Sequence, residues 1–144
     1  MAITLYGSKQ NIIQVVQATY TAEFSTTSTS FTATGLTASI VPSSSSNKIM
    51  VLISTTQTCT TASVNTYFTV YRGATNIGFG SDTALAKYVA TSGYTIAPVT
   101  ISYIDSPATT SSTTYTAYFR TSGGTGYVNS ATSGTITLLE VAYA

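Results

Sequence analysis

The chain has no histidine, no tryptophan, a single cysteine and few charged residues, five basic and four acidic among 144. Without histidine, neither a Ser-His-Asp triad nor a zinc site of the usual Cys/His kind can form. One cysteine, Cys59, cannot make a disulfide within the chain. Because no histidine is present to activate its thiol, we expect Cys59 to be a small, buried apolar residue.

The basic residues are too scattered for a nucleic-acid interface, which needs several cations on one face. They occur singly along the chain, as Lys9, Lys48, Arg72, Lys87 and Arg120. No apolar run approaches the ~18 residues that a membrane-spanning helix requires, and the first residues lack the pattern of a secretion signal. We therefore expect no nucleic-acid partner, no membrane insertion and no cofactor.

Four carboxylates remain as groups with catalytic potential: Glu23, Asp82, Asp105 and Glu140. A glycoside hydrolase needs two carboxyl groups ~5–10 Å apart in a cleft. The scatter of these four favours turn caps or ion pairs with a lone Lys or Arg, so we expect no enzymatic activity. The glycine-rich segment 123–126 is similar to a phosphate-binding loop, but no helical pattern follows it, which favours a hairpin loop.

Hydroxyl side chains dominate what is present, with 31 Thr and 20 Ser among 144 residues. Threonine is β-branched and packs well on a pleated surface, so a chain that fills outward positions with threonine specifies β structure without charge. The formal net charge is +1 and only 6% of residues are charged, so little repulsion opposes contacts between copies. The composition therefore favours a protein that self-associates or joins a lattice.

Short alternating or apolar runs, bounded by Gly, Pro, Asn or Ser, recur along the chain and predict an all-β fold. We predict one antiparallel β-sandwich of about eight to ten strands over residues 11–144, preceded by an N-terminal arm at residues 1–10. The apolar pairs of 11–20 predict a central strand with either a bulge or an apolar partner on both faces, and 48–56 predicts a strand covered on both faces. The segment 80–93 predicts either a single helical turn or a long loop.

Tyrosine is the one enriched residue type that could serve recognition, with eleven copies. Its ring offers apolar area and its hydroxyl a polar tip, which suits protein interfaces and sugar stacking, although tyrosine is equally a favoured strand residue. Tyr88, Tyr94 and Tyr127 lie beside predicted loops. They are the candidate loop binding residues.

The first ten residues include the apolar and aromatic side chains Ile3, Leu5 and Tyr6, separated from the first predicted strand by Gly7 and Ser8. Such an arm can add a strand to a neighbouring sheet or dock onto another protein. A frayed terminus or an extra edge strand of its own domain is an equal alternative. Ile3, Leu5 and Tyr6 are therefore candidate contact residues for a larger partner.

Six segments of the chain carry a family resemblance, and they are spread over nearly the whole chain after residue ten. They are Ile12–Tyr20, Thr27–Leu36, Ile40–Ile49, Tyr71–Gly78, Ser102–Pro107 and Thr135–Val141. The set resembles a domain common in virion proteins of tailed bacteriophages, particularly aquatic ones.

The resemblance implies a jelly-roll-like sandwich similar to the C1q and tumour-necrosis-factor type, which usually forms trimers. In long phage proteins such domains look like fibre tips on stalks, whereas a copy with a short arm suits direct attachment to a capsid. The implied function is a homotrimeric capsid decoration or cement protein on the outer surface of a phage head. It would be made in the host cytoplasm, and its partners would be its own copies and the major capsid protein, contacted through the arm.

Two alternatives remain open at this stage. One is a short tail- or head-fibre or spike head that recognises a host surface glycan or receptor through the loop tyrosines. The other is an enzyme acting on surface polysaccharide, which would require paired carboxylates in a groove.

Overall fold

The computed structural model describes residues 11–142, so the predicted arm at residues 1–10 lies outside the described residues. Regular structure within this range is entirely β-strand. The strands are β1 Ile12–Tyr20, β2 Phe24–Thr26, β3 Thr32–Ile40, β4 Lys48–Cys59, β5 Asn65–Arg72, β6 Thr75–Asn76, β7 Ala86–Val89, β8 Ala97–Asp105, β9 Thr113–Thr121, β10 Gly126–Val128 and β11 Gly134–Val141.

The strands form two antiparallel sheets with a shared core. Sheet A has the order β1-β11-β4-β8, and the short β10 and β2 extend it beside the C-terminal end of β4. Sheet B has the order β3-β9-β5-β7, and β6 also pairs with β5. Two four-stranded sheets in this order make a jelly roll, which confirms the predicted fold class. The structure describes eleven strands rather than the predicted eight to ten. The difference comes from β2, β6 and β10, which are only two or three residues long.

The alternation of apolar and hydroxyl residues explains why these segments form half-buried strands. In β3, Leu36, Ala38 and Ile40 are buried, whereas Thr37 and Ser39 between them are exposed. Successive strand side chains point to opposite faces, so the apolar set reaches the core and the hydroxyl set reaches solvent. Threonine and serine thus coat the outside of the sandwich without charge.

Aromatic rings from sheet B meet aliphatic side chains from sheet A in the core. Phe68 of β5 and Phe119 of β9 pack edge to face with ring centroids 6.3 Å apart, and both are fully buried. Ile53 of β4 and Leu138 of β11 belong to the same buried cluster. At roughly 1.5–3 kcal/mol for each fully buried large apolar side chain, this cluster supplies the main driving force for folding.

The structure corrects the prediction that 11–20 is a central strand. Among the described strands, β1 pairs with β11 alone and lies at an edge of sheet A. The predicted bulge is confirmed, because the register shifts between Ile12 and Gln14. The apolar pairs that suggested burial on both faces include Val15, which is exposed on the outer face of the sheet.

The structure also corrects the prediction for 80–93, which is neither a helical turn nor a featureless loop. Residues Ala86–Val89 form β7, which pairs with β5, and an isolated bridge joins Phe79 to Ala84. Short strands of this kind depend on a partner distant in sequence, so local patterns reveal them poorly.

Candidate functional site

The outer face of sheet A carries an apolar row that crosses all four long strands. The register places Val15 of β1 opposite Leu139 of β11, Leu139 opposite Met50 of β4, and Met50 opposite Ile104 of β8. Val15 is 57% exposed and Ile104 is 58% exposed, while Leu139 and Met50 are half-buried. We call Val15, Leu139, Met50 and Ile104 the apolar row.

The apolar row lies at one end of an otherwise hydroxyl-rich face. Near the start of β1, Ile12, Ile13 and Val41 are further exposed apolar side chains. Towards the other end, Thr135 of β11 lies opposite Ser54 of β4, and Ser54 lies opposite Thr100 of β8. The predicted burial of both faces of β4 is therefore only half correct, since its outward side chains Met50 and Leu52 are partly exposed.

A fully buried carboxylate, Glu140, lies beneath the start of this face. Its Oε1 atom accepts hydrogen bonds from the Ser43 backbone N–H and Oγ, both at 2.7 Å, and from Asn47 Nδ2 at 2.6 Å. Its Oε2 atom accepts one from Gln14 Nε2 at 2.7 Å. Burial alone would raise the pKa of Glu140, but the hydrogen bonds from Asn47, Gln14 and Ser43 lower it to about 2. The carboxylate thus fastens β1 and the loop before β4 to β11, and so fixes the edge of the apolar row.

Asp105, at the end of β8, connects sheet A to two strands of sheet B. Arg72 Nη1 of β5 donates to both carboxylate oxygens at 2.9 Å, and the Tyr115 hydroxyl of β9 donates to Oδ2 at 2.6 Å. Burial, together with the hydrogen bond to Asp105, raises the pKa of Tyr115 far above its ordinary value. Tyr115 is therefore a fixed hydroxyl donor in the core.

A third polar cluster lies on the outer face of sheet B and joins Asp82, Lys87 and Arg120. Lys87 Nζ lies 3.2 Å from Asp82 Oδ2, and Arg120 Nη2 lies 3.8 Å from Asp82 Oδ1. The hydrogen bond to Asp82 raises the pKa of Lys87 above its ordinary value. The Arg120 guanidinium stacks over the Tyr67 ring at 3.7 Å from its centroid and lies 5.0 Å from that of Phe31.

Asp105 pairs with Arg72 and Asp82 pairs with Lys87, which confirms the predicted ion pairs for two of the four carboxylates. Glu23 is exposed. Sequence reasoning missed the role of Glu140, although the alternation of Ile136, Leu138 and Glu140 along β11 places it on the inward face. Within residues 11–142, no three His, Cys, Asp or Glu side chains come close enough to hold a metal ion.

The structure does not bring the three candidate tyrosines into one site. Tyr88 is half-buried in β7 of sheet B, whereas Tyr127 is half-buried in β10 of sheet A. Tyr94 lies in the exposed segment between β7 and β8, and its hydroxyl is 3.0 Å from Ser130 Oγ. Their role in binding stays a prediction, and Ile3, Leu5 and Tyr6 lie outside the described residues.

An aromatic cluster on sheet B was not predicted. Tyr71 of β5 and Tyr118 of β9 stack with ring centroids 3.9 Å apart, and Phe31 meets Tyr71 edge to face at 6.4 Å. Tyr71 and Tyr118 are diagonal neighbours across two strands, a pairing that only the register reveals.

The single cysteine is buried as predicted. Cys59 is fully buried, with its Sγ atom 3.6 Å from the Gly123 carbonyl oxygen.

Comparison with known proteins gives structural similarity only at low sequence identity. No family model matches the chain, and no curated protein matches it. Among solved structures, a chain described as "Structure of infectious bursal disease virus Gt strain" is similar with a TM-score of 0.45 and 15% sequence identity. The match covers 97% of this chain and 41% of the other. In the described part of the chain, no helix is long and apolar enough to cross a membrane.

Proposed function

We propose that this protein is a non-catalytic virion structural protein, a homotrimeric decoration or cement protein on the outer surface of a phage capsid. The observation that carries the proposal is the apolar row, which no strand of the described residues covers, on a protein with a net charge of only +1. The resemblance of its sequence to phage virion domains supports the same function.

The apolar row suits contact with another copy of the chain. Covering a half-exposed aliphatic side chain contributes roughly 1 kcal/mol, so four in line supply part of the free energy that a stable interface requires. The neighbouring positions carry hydroxyls, such as Thr137 and Ser102. Such hydroxyls can hydrogen-bond across an interface, and the Lys48 ammonium, two residues before Met50 on the same face, already donates to Ser106 Oγ at 2.8 Å.

The location of the protein on particles tests the proposal. Intact phage labelled with an antibody to this protein, and imaged by electron microscopy, is expected to carry label over the whole head in many copies. Label confined to the tail or to a single vertex would contradict a decoration protein and favour the alternative, a fibre or spike head. A release assay for reducing sugars from host polysaccharide serves as the control for catalysis and is expected to stay flat.

A further inference from the structure

A small cleft opens beside the turn that precedes β7. It is lined by residues of the segment 79–87 and has a volume of about 260 Å³. Phe79 is 68% exposed at this cleft, next to the polar side chains of Asp82 and Lys87 and the apolar side chain of Leu85. We call it the Phe79 cleft. Its size is below the ~300–1,000 Å³ of sites for drug-sized ligands, so it suits one small ring.

The cleft is held in shape by hydrogen bonds from β5 and β6. Asn76 Nδ2 donates to the Thr83 carbonyl oxygen at 2.9 Å, and Asn76 Oδ1 accepts from the Gly78 N–H at 2.8 Å and from Thr69 Oγ1 at 2.7 Å. A Cβ atom at Gly78 would lie only 2.3 Å from the Thr83 carbonyl oxygen, so only glycine fits there. Phe79 is thus presented on a rigid turn, and little ordering is required when a ligand binds.

The charges at the cleft compensate each other locally. The Asp82 carboxylate is half-exposed and faces Lys87 Nζ at 3.2 Å and Arg120 Nη2 at 3.8 Å. Lys87 offers donors and Asp82 offers acceptors, both within a few ångströms of an exposed aromatic ring. A ligand that matches this arrangement needs an apolar face for the ring and adjacent hydroxyls that both donate and accept. A neutral pyranose has these features, whereas an aliphatic peptide side chain lacks the hydroxyls.

We propose that the Phe79 cleft is a carbohydrate-binding site for a single neutral pyranose residue of a surface polysaccharide. The sugar stacks its C–H face on Phe79 and directs neighbouring hydroxyls to Asp82 and Lys87. One ring in an open cleft binds weakly, with a Kd in the millimolar range for a monosaccharide. Several copies on one particle raise the avidity for a polymer by orders of magnitude. The site is on sheet B, away from the apolar row, so the binding of one sugar does not depend on the assembly proposed above, and only the avidity does.

Nuclear magnetic resonance titration of the ¹⁵N-labelled protein tests this site. The probes are the methyl pyranosides of glucose, galactose, mannose and N-acetylglucosamine, each added to tens of millimolar. At least one is expected to give saturable shifts confined to the amides of residues 79–87 and their neighbours on β5. Phe79→Ala is expected to weaken that binding at least tenfold, and Asp82→Asn several-fold.

The matched control is Ile96→Ala, which removes another exposed apolar side chain beyond the opposite end of β7 and outside the cleft. It should bind the same sugar as tightly as the wild type. Phe79 is largely exposed, so an unchanged Tm of Phe79→Ala will show that lost binding is not lost folding. The proposal is wrong if none of the four pyranosides shifts the cleft, or if Phe79→Ala binds unchanged. It is equally wrong if Phe79→Ala abolishes attachment to phage heads while no sugar binds, which would identify a protein-docking surface.

Discussion

Glu140 is a buried carboxylate whose charge is held by four hydrogen bonds, and none of the ion pairs among residues 11–142 involves it. Its partners come from two separate places in the chain, Gln14 from β1 and Ser43 and Asn47 from the loop before β4. An unpaired buried charge is costly unless its lone pairs are satisfied, so each of these contacts is needed to keep the carboxylate inside the sandwich.

Glu140→Gln is expected to lower the free energy of unfolding by roughly 1–3 kcal/mol. The new amide group directs N–H donors at Ser43, Asn47 or Gln14, which already donate to this site. Urea denaturation measures the loss, and Glu23→Gln, at an exposed glutamate, is the matched control that should leave stability unchanged.

The same two variants, Glu140→Gln and Glu23→Gln, show how much of the pH dependence of stability comes from Glu140. The pKa of Glu140 is lowered in the folded protein to about 2 from an ordinary 4.5. A carboxylate whose pKa is lower in the folded than in the unfolded state stabilises the fold at pH values above its unfolded-state pKa. That contribution is lost as the pH falls from about 4.5 to about 2. Wild type and Glu23→Gln should lose stability in this window, and Glu140→Gln should lose less. Equal acid sensitivity in all three would contradict the role given to Glu140.

At the scale of elements, a glycine in β10 allows this strand to pack closely against sheet B. A Cβ atom at Gly126 would lie 2.5 Å from Cε1 of Phe119, whose ring is fully buried. Gly126→Ala is therefore expected to lower the free energy of unfolding by roughly 1–3 kcal/mol, because the ring must move within a packed core. Gly123→Ala is the control, since its Cβ would meet only Val64 Cγ1 at an ordinary 3.4 Å. Equal unfolding midpoints for the two variants would contradict this packing.

Capsid attachment through the arm at residues 1–10 is a prediction from the sequence alone. Deletion of Met1 to Ser8 is expected to leave a folded trimer that no longer binds phage heads. Co-sedimentation with heads that lack the protein measures attachment, and size-exclusion chromatography reports the trimer. Undiminished attachment would remove Ile3, Leu5 and Tyr6 from the account.

Strands with a clean two-residue alternation could be predicted from the sequence, because burial on one face decides them. The buried face of β3 and the inward side chains of β4 are examples. The prediction failed where exposure depends on distant partners. The apolar pairs of 11–20 predicted a central strand, yet Val15 is exposed at the sheet edge, and β7 was not predicted because its four residues are stabilised by β5.

The surfaces were harder to predict than the core. The apolar row joins residues from positions 15, 50, 104 and 139, so only the strand register aligns them. The Phe79 cleft likewise depends on hydrogen bonds from Asn76 that the local sequence does not reveal. Tyrosine enrichment directed attention to Tyr88, Tyr94 and Tyr127, whereas the most exposed aromatic side chain of the described residues is a phenylalanine.

At the scale of the whole molecule, the jelly roll has two different outer faces. Sheet A presents the apolar row, which suits other copies of the chain, and sheet B presents aromatic rings, cations and the Phe79 cleft. Low charge and a hydroxyl coat let such a block assemble closely with its copies. The two proposals thus place assembly on one face and recognition on the other.

Sedimentation equilibrium of the purified protein tests the assembly of copies through the apolar row most directly. The wild type is expected to have a mass three times the 15.0 kDa of one chain. Ile104→Glu, which places a charge in the apolar row, should be a folded monomer, and the control Thr114→Glu, on the outer face of sheet B, should remain trimeric. A wild-type monomer, or a trimer that Ile104→Glu leaves intact, would contradict the account.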